Sequence, residues 1–405
     1  MIARLRALSP QLLLFIVGTI FMGIASGLFE TSFNNFLSDT FHMSASARGR
    51  LEFPRELPGF LVAVVAGALF FFSEVHVAVI ALVLIAAGLT GLGLFGDQYE
   101  TMLAGMIIWS TGMHLAMPVT GSISLGLARA GQGATMLGRL SGIRTAASII
   151  GAGLVWLGLG GMQWGYSAIF LTAAASSLVG AIVIAGMRPV KGREGKRPKF
   201  LVRRQYRLFY LLNVLFGARK QVFITFGPWV LVKVFGAPVS TLAKLSIVAS
   251  ALGMFFSPQL GRLVDRFGER VVLMGDAVLL MGVCLGYGFA ERLPFGSSAV
   301  YVIYISYILD QVLFAVGIAR TSYLDKLATN KEDVTATLSL GVTIDHAVSM
   351  SIPALGGLVW VVYGYEYVFI GAAGVAFLNL IAASFVRVSR PTAIPVAREA
   401  RAASG

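Results

Sequence analysis

A basic segment near the middle of the chain, between Met187 and Arg207, constrains the fold more than any other feature of the sequence. It carries nine Lys or Arg residues and a single acidic residue, and long apolar segments lie on either side of it. Cationic loops of membrane proteins stay on the cytoplasmic side. The segment therefore predicts two membrane-embedded halves that are joined by a cytoplasmic linker.

The composition of the 405-residue chain indicates that lipid, rather than water, surrounds it. Hydrophobic residues make up 57% of the sequence and charged residues 13%, against about 25% in soluble domains. The net charge of +13 does not indicate nucleic-acid binding, because the basic residues lie in short loops and not on one face. The single cysteine, Cys284, excludes a disulfide framework and a cysteine-based metal site.

Apolar runs of spanning length predict twelve transmembrane helices, and an even number places both termini on one side of the membrane. Lys and Arg residues outside the spans fall mostly on the side of the basic linker, so we expect cytoplasmic termini and a multi-pass protein of the plasma (inner) membrane. The predicted helices lie near 11–37, 52–73, 77–95, 100–128, 136–159, 164–187, 207–232, 238–259, 271–291, 298–320, 334–361 and 364–387. The predicted divisions are a six-helix bundle at 1–187, a basic linker at 188–206, a second six-helix bundle at 207–390 and a disordered cytoplasmic tail at 391–405.

Two short matches between the halves indicate an internal duplication. Gly-Leu-Val-Trp occurs at 153–156 and again at 357–360, and each copy precedes a Gly-Tyr pair that begins the last helix of its half. Parallel repeats about an axis along the membrane normal are one plan of membrane transporters. The sequence therefore predicts an all-α membrane protein of two bundles related by pseudo-two-fold symmetry.

The segment from Gly261 to Arg270 reads GRLVDRFGER. It resembles the G-x-x-x-D-R-x-G-R-[RK] loop signature of the major facilitator superfamily, with Glu269 at one basic position. The predicted helix arrangement resembles the family over the whole chain, whereas the sequence motif covers only these ten residues. The corresponding loop of the first half, at 73–76, lacks the signature. The resemblance implies a secondary transporter that works by alternating access, with a gating loop that contains Gly261, Asp265, Arg266 and Gly268.

Ionisable side chains inside the predicted spans mark a candidate site, because each costs at least ~2.5 kcal/mol at mid-bilayer. The resemblance implies that the first, fourth, seventh and tenth helices line a central cavity. Arg219 and Lys220 are adjacent in the seventh helix and point about 100° apart, so one can bind a ligand while the other pairs with Asp310 or Glu30. The predicted substrate-binding residues are Arg219, Lys220, Gln221, Asn34, Asn35, His114 and Gln311.

A carboxylate that exchanges partners between two conformations can take up and release a proton, because burial and nearby cations act on its proton affinity in opposite directions. The predicted proton-coupling residues are Glu30, Asp310, Asp345 and His346, and sodium coupling stays open as an alternative. We assign Arg144 a structural or gating role. Arg55 and Glu56 are expected at a solvated mouth of the second helix.

The excess of cations over carboxylates within the predicted spans favours a small organic anion, or a polar solute with an anionic group, carried by proton-coupled alternating access. One alternative is proton-antiport efflux of drugs or amphipathic compounds, which an aromatic cavity would favour. Another is a non-transporting membrane sensor or a lipid flippase on the same fold. We expect a monomer with no enzymatic activity, no cofactor and no nucleic-acid partner. The four histidines show no metal-ligand pair at helical spacing, so no metal site is predicted.

Overall fold

The computed structural model describes residues 9–68, 72–129, 132–189, 203–294, 296–328 and 331–387. The predicted tail at 391–405 lies outside these ranges, as does most of the linker. We call residues 9–189 the N-terminal half and residues 203–387 the C-terminal half. The long helices are α1 (Pro10–Phe41), α2 (Ala45–Ala68), α3 (Glu74–Phe95), α4 (Tyr99–Leu127), α5 (Gly133–Gly160), α6 (Tyr166–Ala185), α7 (Arg207–Lys233), α8 (Val239–Phe267), α9 (Glu269–Phe289), α10a (Ala299–Leu313), α10b (Gly317–Leu327), α11 (Lys331–Tyr363) and α12 (Tyr365–Ser384).

The helices agree with the twelve predicted spans once α10a and α10b are counted as one span joined by a 3-10 turn at Phe314–Val316. Within the described residues, ten spans are long and apolar enough to cross a membrane. The other two are α2 and α7, the helices that carry the densest sets of interior charges. Large apolar side chains such as Phe255, 65% exposed, cover the outside, as expected where lipid is the solvent.

The start of α2 differs from the prediction. The hydroxyl of Ser44 accepts a hydrogen bond from the Ala47 amide at 3.2 Å, in the manner of a helix N-cap, and the helix begins at Ala45 instead of 52. The early start adds two turns to the helix. It therefore moves the charged residues that follow away from the helix mouth and into the protein.

The predicted gating loop is also different, because α8 continues to Phe267 and α9 begins at Glu269. Gly268 alone separates the two helices, with φ of +83°, a conformation that favours glycine. Gly261, Asp265 and Arg266 therefore lie on the last turns of α8 and not in a loop. The apolar run ends at 259, but backbone hydrogen bonding carries the helix two turns further.

We call the end of the protein where α6 ends and α7 begins the linker end, and the opposite end the far end. The two halves pack against each other at the far end. α2 meets α11 there, and a Cβ at Gly357 would lie 2.6 Å from the carbonyl oxygen of Ala45. α5 meets α8, with Lys244 Nζ 5.5 Å from the ring centroid of Trp156. Small residues thus let the helices of the two halves approach closely and close the far end.

Candidate functional site

A central cavity of about 540 Å³ lies between the halves and is lined by residues of both. Polar and charged residues outnumber aromatic ones in its lining, although Phe29, Trp109 and Phe223 are present. The hydrogen-bonding and charged residues in the lining are Glu30, Thr31, Asn34, Arg48, Arg55, Glu56, His114, Ser148, Lys220, Gln221, Ser246, Ser250, Tyr307, Gln311, Asp345 and His346.

Four charged residues of α2 form a continuous network on one face of the helix. Glu52 lies four residues from both Arg48 and Glu56 and three residues from Arg55, and these spacings bring side chains to one face of a helix. Arg48 and Glu52 form an ion pair, and both side chains are almost fully buried. Arg55 Nε lies 2.7 Å from Glu52 Oε2, and Arg55 Nη2 lies 2.9 Å from Glu56 Oε1. Two arginines and two carboxylates therefore compensate each other inside the protein.

This network also joins the two halves. Gln221 of α7 donates from its Nε2 to Glu52 Oε2 at 2.9 Å, and His346 Nδ1 of α11 lies 3.0 Å from Glu56 Oε2. The expectation that Arg55 and Glu56 occupy a solvated helix mouth is wrong. Arg55 lies ten residues into α2, about 15 Å from its start, and Glu56 is buried.

The adjacent cations of α7 have different partners and surroundings. Lys220 pairs with Asp345 of α11, both line the cavity, and their side chains are 17% and 25% exposed. Arg219 Nη2 lies 2.9 Å from Asp310 Oδ1 of α10a, with both side chains 2% exposed. Arg219, a predicted substrate-binding residue, and Asp310, a predicted proton-coupling residue, lie behind the cavity wall and not in its lining, contrary to the expectation that both line the cavity. The helical turn of about 100° per residue separates the two cations.

The surroundings of Arg219 are largely aromatic. Its guanidinium carbon lies 5.6 Å, 5.8 Å and 5.1 Å from the ring centroids of Phe216, Phe223 and Phe314. The contact with Asp310 is close in distance, but its atoms do not have hydrogen-bond geometry. It is therefore an ion pair held by charge in an apolar setting.

A second acid and base, Asp276 and Arg320, were not singled out from the sequence. Asp276 is 6% exposed, and its Oδ1 is buried without a hydrogen-bond partner among the described residues. Its charge interacts with Arg219 and Arg320, and Arg320 lies 3.3 Å above the ring centroid of Phe216. The sequence feature that could have identified Asp276 is its position as a single acidic residue in the otherwise apolar run 271–282. The C-terminal half therefore encloses a balanced cluster of two acids and two arginines.

The polar residues of α1 divide between two places. Glu30 faces the central cavity, where its charge interacts with Arg144 and Arg55, and Asn34 Oδ1 accepts from Arg48 Nε at 3.0 Å. Asn35 does not line this cavity, contrary to the prediction. Its amide donates to the Ala237 carbonyl at 3.2 Å across the far-end contact. Asn35 points elsewhere because adjacent helical residues diverge.

His114 and His346, which are distant in sequence, meet in the cavity. Their ring centroids are 4.9 Å apart, and His114 Nε2 lies 3.9 Å from Glu56 Oε2. Glu56, His114 and His346 each offer a ligand atom, and these atoms lie within 4.8 Å of one another. The helical spacing of the histidines gave no sign of this group, because its members come from three helices.

The predicted gating residues of the signature segment, 261–268, lie at the end of the protein where the basic linker joins the two halves, whereas Arg144 lies on α5. Asp265 and Arg266 are exposed on the last turn of α8. The acid that ties helices together there is Glu269. It accepts from Ser322 at 2.7 Å and lies 2.5 Å from Lys326 Nζ, and both partners belong to α10b. The residue that departs from the signature thus makes the contacts expected of Asp265.

Comparison with known proteins agrees with this architecture. A profile of the Major Facilitator Superfamily matches residues 18–330 and 209–404. No curated protein sequence matches the chain.

Three solved transporters share the fold at low sequence identity. The nucleoside transporter NupG superposes with a TM-score of 0.74 at 16% identity, covering 92% of this chain and 97% of that one. A bacterial homolog of the human lysosomal transporter Spinster, in an inward-facing and occupied conformation, gives 0.72 at 14% identity, covering 95% and 99%. A D-xylose-proton symporter gives 0.69 at 15% identity, covering 92% and 96%. The chain belongs to the major facilitator superfamily, and it is a multi-pass, non-enzymatic secondary transporter of small molecules.

Proposed function

We propose that this transporter moves a small organic anion, or a polar solute with an anionic group, together with protons across the plasma (inner) membrane. The observation that carries the proposal is the Lys220–Asp345 ion pair, which lies in the cavity wall and is partly accessible. A partly accessible ion pair can exchange partners at lower cost than a buried one, because water still screens part of its charge. A cation and a proton acceptor therefore face the same space.

The pair gives a simple coupling mechanism. Protonation of Asp345 removes its negative charge, so Lys220 loses its partner and can bind the anionic group of the substrate. Loss of the proton restores the carboxylate, which then competes with the substrate for Lys220. One proton and one anionic group are thus bound and released together, and the charge of the site changes little.

Other cavity residues have supporting roles in this proposal. The amide of Gln311 faces the cavity and has no hydrogen-bond partner among the described residues, so it is free to orient the substrate. Glu30 of α1, which also lines the cavity, is a second candidate proton carrier. Arg219 and Asp310 hold helices α7 and α10a together.

The packing of the halves supports alternating access. Their close helix contacts lie at the far end, which is sealed around Gly357 and Ala45. With both termini in the cytoplasm, as the basic linker predicts, this arrangement would face the cytoplasm. Transport would then require α2 and α11 to separate at the far end while the opposite end closes.

A second candidate substrate is a neutral polar solute. It is favoured by the pairing of the cavity cations, since Arg48, Arg55 and Lys220 each contact a carboxylate. The solved relatives named for nucleosides and D-xylose carry such solutes. Drug efflux receives less support, because polar residues outnumber aromatic ones in the cavity.

A thermal-shift screen of the purified protein in detergent tests these proposals. Ligand present at 100 times its Kd adds about 2.7 kcal/mol to the free energy of unfolding, which raises the Tm. We expect carboxylates or phosphate esters to raise the Tm of the wild type but not of Lys220→Ala. The matched control is Lys244→Ala, which removes a cation outside the cavity. Stabilisation by nucleosides or sugars that survives Lys220→Ala would instead support the neutral solute.

A further inference from the structure

Glu56, His114 and His346 form a group that the transport mechanism above does not use. Glu56 and His114 belong to α2 and α4 in the N-terminal half, and His346 belongs to α11 in the C-terminal half. Their ligand atoms lie within 4.8 Å of one another. We propose that this group is a binding site for a divalent transition-metal ion, and that the bound ion holds the two halves in the present arrangement.

The donor set favours such an ion. Two imidazoles and one carboxylate suit Zn²⁺, Co²⁺ and Ni²⁺, whereas Mg²⁺ and Ca²⁺ prefer sites made of oxygen ligands alone. Ligand atoms on a tetrahedral ion with bonds of about 2 Å lie roughly 3.3 Å apart. The spread of the three atoms is therefore closed by small inward shifts of the side chains, and the cavity leaves a fourth position for water.

The hydrogen bonds around the group prepare its atoms for a metal. His114 Nδ1 lies 2.9 Å from the carbonyl oxygen of Ser110. A carbonyl oxygen only accepts, so Nδ1 carries the proton and the lone pair of Nε2 faces Glu56. Metal-binding histidines are held in the same way by a hydrogen bond to their other nitrogen.

The two oxygen atoms of the Glu56 carboxylate have different contacts. Oε1 of Glu56 lies 2.9 Å from Arg55, and Oε2 is the atom near both imidazoles. Arg55 thus fixes the orientation of the carboxylate and leaves one oxygen for the ion. His346 Nδ1 lies 3.0 Å from that oxygen, so the ion takes the place of the proton between them and that proton goes to solvent.

Gly59, one turn after Glu56, permits the two rings to meet. A Cβ at this position would lie 2.5 Å from atoms of both His114 and His346. A substitution by alanine must therefore push the rings aside without removing a ligand. This gives a test of the geometry that is independent of the ligands.

The consequence for the transporter follows from the origin of the ligands. An ion that binds only where both halves contribute shifts the population toward this arrangement by its difference in affinity between the two states. The far-end contact between α2 and α11, near Ala45 and Gly357, then opens less often. Metal binding would therefore arrest transport.

The first test is metal binding to the purified full-length protein after chelator treatment. We expect Zn²⁺ to bind at one site per chain by isothermal titration calorimetry, and Co²⁺ to give an absorption spectrum of a nitrogen- and oxygen-ligated ion, with no binding of Mg²⁺. His114→Gln and His346→Gln should each weaken binding at least ~10-fold, the lower limit known even for residues that only orient ligands. His42→Gln and His76→Gln, at exposed histidines, are the matched controls and should bind as the wild type.

Unchanged Zn²⁺ affinity in both ligand variants would overturn the site, as would equal affinity for Mg²⁺. Where a ligand variant fails size-exclusion analysis, two other measurements decide whether the site exists. Gly59→Ala, which pushes the two rings aside, should weaken Zn²⁺ binding, and the wild type should give the Co²⁺ spectrum described above; failure of both would overturn the site. The second test is hydrogen–deuterium exchange at the far-end segments 45–53 and 353–361. Zn²⁺ should slow exchange there in the wild type but not in His346→Gln, and binding without slower exchange would overturn the holding role.

Discussion

Three ion pairs of the C-terminal half differ mainly in their exposure. Arg219–Asp310 is 2% exposed at both side chains, Lys220–Asp345 is 17% and 25% exposed, and Lys326–Glu269 is 36% and 3% exposed. The energetic role of an ion pair depends on how much water its charges have lost. The comparison teaches that neighbouring residues such as Arg219 and Lys220 can have different surroundings, because one pairs out of contact with water and the other pairs in the cavity wall.

The largest effect is expected from breaking the buried Arg219–Asp310 ion pair. Asp310→Asn removes the nearest carboxylate of Arg219 and leaves the buried cluster with two arginines and one acid, Asp276. Breaking a buried ion pair in this way costs about 3–5 kcal/mol. We expect loss of most folded protein, measured by fluorescence-detected size exclusion and by Tm. The double variant Arg219→Met/Asp310→Leu removes both charges and should recover most of the lost stability. Normal stability of Asp310→Asn alone would show that the pair is not structural.

A large effect on ligand binding, but not on folding, is expected at the cavity pair. Lys220→Ala should weaken binding of an anionic substrate by roughly 10–100-fold, because a hydrogen bond to a charged group contributes about 1.5–3 kcal/mol. Its Tm without ligand should fall much less than that of Asp310→Asn, since water partly screens this pair. Titration of the stabilising ligand measures both quantities, with Lys244→Ala as the control. A fall in Tm equal to that of Asp310→Asn would remove the contrast between the pairs.

A more selective effect is expected from the carboxylate of that pair. Asp345→Asn should keep substrate exchange in proteoliposomes but lose accumulation driven by a pH gradient. Coupling to one proton allows about tenfold accumulation per pH unit, since one unit corresponds to about 1.4 kcal/mol. Accumulation retained in Asp345→Asn would assign the proton to another residue, and Glu30→Gln tests the next candidate.

The smallest effect is expected at the linker end. Glu269→Gln keeps a partner for Ser322 but weakens the contact with the exposed Lys326, so its stability should fall by about 1 kcal/mol or less. Asp265→Asn, at the exposed signature residue, serves as the comparison. If Asp265→Asn slows transport more than Glu269→Gln does, gating follows the family signature and not the observed contacts.

Much of the fold was predictable because hydrophobic length alone marks a membrane helix. The twelve spans, the two-bundle plan and the family resemblance all came from patterns along the chain. The charge-rich α2 was the exception. Its first two turns carry two arginines and, besides two alanines, a single large apolar residue, Leu51, so they do not read as an apolar run. The cap at Ser44 was the local signal for the true start.

The candidate site was predictable only as a set of polar residues at one depth. Rise per residue placed Lys220, Asp345, His114 and His346 near the middle of their helices, and all four line the cavity. The same reasoning placed Arg219 and Asp310 there, although they lie behind the wall. Depth follows from the sequence, whereas the direction in which a side chain points depends on how each helix is rotated by its neighbours.

By itself, the sequence determined that this protein is embedded in a membrane, how many times the chain crosses the bilayer and where its charged residues lie along each span. Those properties depend on the apolar length of each segment and on the placement of Lys and Arg. Only the tertiary structure decided which charges are paired, which of two adjacent cations faces the cavity, and that Glu56 meets two histidines from distant helices. The physical reason is that these contacts join helices far apart in the chain, so packing between helices determines them and local sequence does not.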